Sequence, residues 1–207
     1  MLNYNNALFE NRVEPKGSLD DFPTPPWATR ALCEWLERQG FDTKKMTVRE
    51  PAANRGHMAT VLAEYFKEVV SSDIHDYGVG FPVEDYLLDY SDEKKCDFTI
   101  TNPPFNLASQ FIQKACATSK VGVAIFVRTS FVESQKRYHN IFKSNRPAFN
   151  LQFAERVNIF KGTVSKDRPK AMAFCWLIWL KNPKIITTTQ DWIPPCRKHL
   201  ERDGDYS

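Results

Sequence analysis

One alternation constrains this chain more than any other feature. Three times, a short run rich in β-branched or aromatic residues leads through a turn into a segment of helical spacing. "TVREPA" precedes "HMATVLAEYFK", "CDFTIT" precedes "LASQFIQKACATS", and "GVAIFVRTSF" precedes "SQKRYHNIFKSN". A helix returning the chain across one face of a sheet makes successive strands parallel, so the pattern predicts an α/β fold with helices on both faces. A further strand is expected at "EVVSSDI", and "VEDYLLDY" reads as either a short strand or a turn. Near the end, "NLQFAERV" and "AMAFCWLIWLK" flank the loop "NIFKGTVSKDRPK", too short for a crossover helix. Those two strands should therefore pair antiparallel.

Ahead of the alternation, "DFPTPPWATRALCEWLERQG" predicts a helix. Thr24 can cap it, prolines take its first positions and Gly40 lies just past its end. Trp27, Ala31, Leu32, Trp35 and Leu36 share one face and should meet the core. This places a catalytic domain at residues 21–182, after a loosely held arm at 1–20. Residues 183–207, polar and containing Pro194-Pro195, are expected to form an irregular tail.

Composition removes several classes of protein. Apolar residues make up 42% and charged residues 26% of the 207, near globular averages, which argues against wholesale disorder. The first residues contain no basic segment followed by an apolar run, and the longest apolar run has ten residues where a span needs roughly 20. A cytoplasmic protein with no membrane association is expected. The five cysteines show no C-x-x-C spacing and His57, His75, His139 and His199 no ligand spacing, so no metal is expected. Oligomeric state is not legible.

Four places carry chemistry. "EPAANRG" lies between a strand and a helix, where doubly wound folds bind ligands; Glu50, Pro51, Ala52, Asn54 and Gly56 are its candidates. A plain strand-to-helix turn would read the same way. Asn54 tolerates positive φ better than most residues, so the turn can close on it. Asp73, with Ile74 beside it, ends the next strand and can accept both hydroxyls of a ribose. Asp85 can accept from an adenine amino group while Tyr86 or Leu87 packs on the ring, although a solvated acidic turn would look alike. The fourth place is "TNPPF". Prolines cannot donate to a sheet ladder, so the strand stops at Asn102. The Asn102 side-chain carbonyl and the rigid Pro103-Pro104 backbone offer acceptors, and Phe105 a flat face for a base. Two acceptors beside a stacking ring suit an exocyclic aromatic amine.

"TNPPF" resembles the catalytic Asn-Pro-Pro-aromatic motif of amino-group methyltransferases that use S-adenosyl-L-methionine, in the form found in DNA adenine-N6 methyltransferases. Over residues 22 to about 180 the order of motifs is also similar. "FPTPPW" resembles the segment whose Thr-Pro backbone, here Thr24 and Pro25, meets the methionine end of the cofactor. "EPAANRG" is similar to the family's E-P-A-x-G-x-G loop, with Asn54 where the family has its first loop glycine. Asp73 stands at the ribose-binding acid and "EDYL" at G-D-F-L. The short chain, without the large DNA-recognition segment of many members, resembles those of phages and prophages.

The resemblance implies a Rossmann-like class I methyltransferase fold with a mostly parallel seven-stranded sheet and an antiparallel last strand. It implies methyl transfer to adenine N6 in a flipped-out base, with Asn102, Pro103, Pro104 and Phe105 at the reaction. The motif also occurs with RNA bases and protein glutamine as acceptors, and the same fold can serve a catalytically silent nucleic-acid-binding protein. Residues 128–170 hold ten Lys/Arg against three acids, a balance of 10 − 3 = +7, while residues 71–97 are acidic. That asymmetry suits a face that tracks phosphates, although a solvated helix and a charged loop also produce it. Arg128, Phe160, Lys161, Lys166, Arg168 and Lys170 are its candidates for contact with DNA or RNA.

Overall fold

The computed structural model describes residues 20–88, 96–166, 172–181 and 187–206. Apart from Asp20, the arm expected at 1–20 lies outside these residues. Seven strands form one sheet: β1 Thr47–Glu50, β2 Glu68–Ser71, β3 Phe98–Thr101, β4 Gly122–Arg128, β5 Phe149–Phe153, β6 Phe174–Leu180 and β7 Thr189–Ile193. Their spatial order is β2-β1-β3-β4-β6-β5-β7. The first four run parallel, as the alternation predicts, through α2 His57–Tyr65 after β1 and α3 Ala108–Thr118 after β3. β6 inserts antiparallel between β4 and β5, so "NLQFAERV" and "AMAFCWLIWLK" pair as expected.

The C-terminal part of the chain departs from expectation. The strand read as last, "AMAFCWLIWLK", is β6 and is antiparallel as expected; a further strand, β7, follows it, runs parallel to β5 and ends the sheet. β7 and the short helix α5 Arg197–Leu200 come from the segment expected to be an irregular tail. "VEDYLLDY", read as a short strand or a turn, forms an isolated bridge from Val83 to Asp73 and then the turn among its described residues. The sheet thus has the expected number of strands with one member exchanged. In addition, "SQKRYHNIFKSN" forms only α4 Gln135–Arg137 and a π-helical turn at Tyr138–Phe142.

Alternating side chains bury both faces. Phe98, Ile100, Ala124, Phe126 and Trp176 meet α1 Pro26–Arg38 and α2 on one side. Val123, Ile125, Val127, Cys175 and Leu177 meet α3 and the π-helical turn on the other. This near-continuous apolarity is what a strand covered on both faces requires. All five α1 residues assigned to the core are buried. The C-terminal segment is fastened to the helices: Arg30 of α1 bridges Asp205 at 2.7 Å and Glu64 of α2 at 3.0 Å, and Trp35 donates to Asp191 of β7 at 2.8 Å. All five cysteines are free thiols, and no described helix is long and apolar enough to cross a membrane.

Candidate active site

The connections leave β1 and β3 toward opposite faces of the sheet, and a crevice opens between the carboxyl ends of these neighbours. A cavity of about 400 Å³ occupies it, within the range of small-molecule sites. Glu50, Pro51, Ala52 and Asn54 of the first loop line it, as do Asp73 and Ile74 after β2, Asp85 and Tyr86, and Thr24, Asn102 and Pro104. The sequence candidates for the cofactor therefore converge, with two exceptions: Pro25 precedes α1 and Gly56 precedes α2, and neither lines the cavity.

The loop after β1 closes as its residues allow. Asn54 has φ +51° and Gly56 φ +85°. The Asn54 side-chain oxygen accepts from the Arg55 amide at 2.7 Å, and its amide nitrogen donates to Asp21 at 2.8 Å. Those bonds explain how asparagine serves where a glycine was expected. Asp73 locks the loop to β2, accepting from the Asn54 amide at 2.8 Å with one oxygen and from the His75 amide at 2.9 Å with the other. Each oxygen keeps a further lone pair for a ligand hydroxyl. Asp85 accepts from the Leu87 amide at 2.9 Å through one oxygen.

Glu50 is the electrostatic focus of the cavity. It is 1% exposed, and one carboxyl oxygen accepts from the Thr101 hydroxyl at 2.5 Å and the Ala52 amide at 3.2 Å. The other oxygen is buried without a hydrogen-bond partner among the described residues. Burial pushes the carboxyl up to about 8, against the weaker opposing effect of those two hydrogen bonds, with the charge of Asp73 adding to the rise. A buried acid with an open oxygen is suited to a cationic ligand group.

Asn102 sits where the cavity meets the two prolines. Its amide nitrogen donates to the Phe22 carbonyl at 2.8 Å and to the Thr24 hydroxyl at 3.0 Å. A backbone carbonyl only accepts, so these contacts fix which end of the amide faces the N-terminal segment. The side-chain oxygen is thereby turned away, with no hydrogen bond among the described residues. Thr24 is accordingly a partner of Asn102, not the expected helix cap; α1 has no side-chain cap. The Pro104 carbonyl is taken by the Leu107 amide at 2.9 Å, whereas the Pro103 carbonyl accepts no bond from a described residue.

Residues 20–24 form a strap, of which sequence reasoning placed Thr24 at the cofactor and missed the anchoring Asp20 and Asp21. The Asp20 carboxylate accepts from the Phe105 amide and the Phe22 carbonyl from Asn102. The Asp21 carboxylate holds Asn54 and Arg55, the latter at 2.7 Å. Burial acts to raise the Asp21 carboxyl, but the hydrogen bonds and charge of these partners outweigh it and hold it below its ordinary value. The Asp21 carbonyl also accepts from Gly162 at 2.8 Å. The cofactor loop, the Asn-Pro-Pro motif and the loop bearing Phe160 and Lys161 are thus joined through one segment. His57, Tyr77, Leu107 and Phe111 also line the cavity unforeseen. Of these, only His57, next to the loop glycine at the start of a helix, offered a positional signal.

The acceptor candidates are placed unevenly. Phe105 and Arg128 are neighbours, the guanidinium lying 4.6 Å from the ring centroid, with Phe22 packed beside the ring at 5.8 Å. The ring expected to offer a bare face to a base is therefore partly covered. Tyr86, expected to pack on a ligand ring, is only 2% exposed and packs against Phe111 at 5.0 Å, with the Arg49 guanidinium 4.8 Å from its ring centroid. Phe160 bridges to Thr163, Lys161 is exposed, and Lys166 lies 5.1 Å above the Tyr206 ring. Arg168 and Lys170 lie outside the described residues. Arg137, counted in the basic stretch, is engaged locally on the Phe131 ring and carbonyl. No group of His, Cys, Asp and Glu among the described residues could hold a metal.

No family model and no curated protein matches the sequence. Solved structures match the fold. A chain from Listeria monocytogenes named a class I S-adenosylmethionine-dependent methyltransferase superposes with a TM-score of 0.63 at 14% identity, over 84% of this chain and 67% of its own. A type I restriction–modification methyltransferase subunit from Streptococcus thermophilus gives a TM-score of 0.63 at 11% identity; 90% of this chain is covered, spanning half of that subunit (50%). An RNA methyltransferase from Pyrococcus horikoshii gives 0.57 at 17%, over 76% and 83%. The fold is the Rossmann-like class I methyltransferase fold. Identities this low speak for architecture and leave chemistry to the site.

Proposed function

We propose that this chain transfers a methyl group from S-adenosyl-L-methionine to the N6 amino group of adenine in DNA. The observation that carries the reading is the Asn102 amide, which lines the cavity and is pinned through its nitrogen so that its oxygen, like the adjoining Pro103 carbonyl, accepts no hydrogen bond among the described residues. The cavity suits the cofactor: the open Glu50 oxygen answers a cationic methionine end, and Asp73 and Asp85 can accept from ribose and adenine. When bound, the cofactor supplies a methyl group on a sulfonium that needs no further activation.

An adenine amino nitrogen is a poor nucleophile because its lone pair is delocalised into the ring. Asn102 and Pro103 take its two hydrogens, letting the nitrogen leave the ring plane as it attacks. Their work is positioning and charge stabilisation. The proton released afterward is acidic enough to leave to water, so no separate base is assigned. A base in a duplex must first be flipped out, at a cost of a few kcal/mol. Phe105 is the ring on which it would rest. The excess of positive charge over 128–170 and the fold shared with a restriction–modification subunit favour DNA.

Labelled methyl transfer to DNA, RNA and total protein in parallel tests the acceptor. Label is expected in DNA; label only in RNA or protein would overturn that assignment. Calorimetric titration of the folded protein with S-adenosyl-L-methionine tests the enzyme itself, and absence of binding heat would sink it.

A further inference from the structure

Arg128 stands out among the cations of this molecule. It ends β4 at the edge of the sheet that carries the Asn-Pro-Pro motif, one parallel strand over from β3. Its guanidinium lies over Phe105, half-buried, at 4.6 Å from the ring centroid. Among the described residues its buried Nε has no hydrogen-bond partner and no carboxylate pairs with it. Other buried arginines are tied down: Arg30 grips Asp205 and Glu64, and Arg49 lies within 3.8 Å of Glu84. A guanidinium held, among the described residues, by a ring alone is a cation short of an anion. It is also flat, so it fills the space above an aromatic ring much as a nucleobase would.

We infer that Arg128 holds the place of the target base on Phe105 and yields it when the acceptor strand arrives, moving to a phosphate of that strand. This deepens the reading of the chain as a nucleic-acid methyltransferase and rests on it. Two properties of the group make the exchange balanced. The base takes over the ring contact that the guanidinium gives up. The phosphate supplies the bidentate acceptor that the guanidinium lacks on Phe105. A nucleobase without a phosphate can displace Arg128 but gives it no anion to move to, so the residue opposes a free nucleoside and favours a strand.

That difference in sign separates exchange from mere support of the ring. Arg128→Gln and Arg128→Lys are compared with wild type, all saturated with S-adenosylhomocysteine. A random-sequence single-stranded oligodeoxynucleotide pool is titrated by fluorescence anisotropy over a series of salt concentrations, and 2′-deoxyadenosine by NMR. Arg128→Gln should bind the pool about tenfold more weakly and lose about 0.7 from the slope of log affinity against log salt. Its affinity for 2′-deoxyadenosine should rise severalfold. Arg128→Lys should keep the salt slope while still gaining affinity for the nucleoside, because the charge remains and the flat stack does not. Unchanged melting temperature and S-adenosylhomocysteine affinity verify the fold of each variant. An unchanged slope in Arg128→Gln, or a nucleoside affinity that falls together with that for the pool, would overturn the inference alone. A wild-type protein that binds S-adenosylhomocysteine but not the pool would overturn both it and the DNA reading.

Discussion

Asn102 and Glu50 carry opposite tasks at the residue scale. Asn102 is held by its donor end, and its acceptor end takes no hydrogen bond among the described residues. Asn102→Ala should lower methyl transfer by about 10²–10³-fold, the usual loss for a charge-stabilising hydrogen-bond partner, and change cofactor affinity by less than about threefold. Single-turnover transfer and calorimetry read the two effects separately, and retained transfer would refute the assigned role. Glu50 is an acid pushed up to about 8 from an ordinary 4.5. A raised carboxyl favours the folded state while protonated. Its contribution is complete below about 4.5 and is lost as the pH rises to about 8. Across that window wild type should lose stability relative to Glu50→Gln, on the order of a few kcal/mol in total. Denaturant melts of both proteins at several pH values measure it, and parallel curves would refute it. Binding of a cationic cofactor favours the ionised acid, so wild-type affinity should rise with pH toward 8, and Glu50→Gln should bind weakly at every pH.

At the scale of elements, β4 is the axis of the fold, parallel to β3 on one side and antiparallel to β6 on the other. Its first residue is a glycine because nothing larger fits. A Cβ on Gly122 would stand 2.5 Å from the Phe98 ring and 3.0 Å from the Trp179 carbonyl. Gly122→Ala should therefore cost about 1–3 kcal/mol, read as a lower urea midpoint. Elements of this kind were legible in the sequence because buried strands are apolar throughout and helices repeat their apolar face. β7, "TQDWI", was not. It is an edge strand, exposed along most of its length, and it joins the sheet through backbone pairing with β5 and the Trp35–Asp191 bond. Neither contact leaves a periodic signal. The loops read well where backbone geometry demanded particular residues, as at Asn54 with its positive φ and at the prolines that end β3. The strap at 20–24 and the Phe105–Arg128 pair depend on chain segments meeting in space, which spacing along the sequence does not encode.

The molecule as a whole is closed from its C-terminal end. The buried pair of Arg30 with Asp205 joins α1 to a turn far along the chain, with Glu64 of α2 as second partner. Removing one member leaves the other short of a partner in a site where both are about 5% exposed or less. Asp205→Ala should cost about 2–4 kcal/mol, seen as a fall in melting temperature with little change in cofactor affinity at temperatures where it stays folded. The cavity itself depends on the crevice between β1 and β3 and on the strap across it, so the site is a property of the assembled sheet. The most direct measurement of the central claim is the identity of the methylated product. Unmethylated genomic DNA is treated with the protein and methyl-labelled S-adenosyl-L-methionine, digested to nucleosides and resolved by chromatography. Methyl transfer at Asn102 to an adenine amine predicts label in N6-methyl-2′-deoxyadenosine, absent when Asn102→Ala replaces wild type. DNA that stays unlabelled while the protein binds the cofactor, or label in a methylated cytosine, would contradict it.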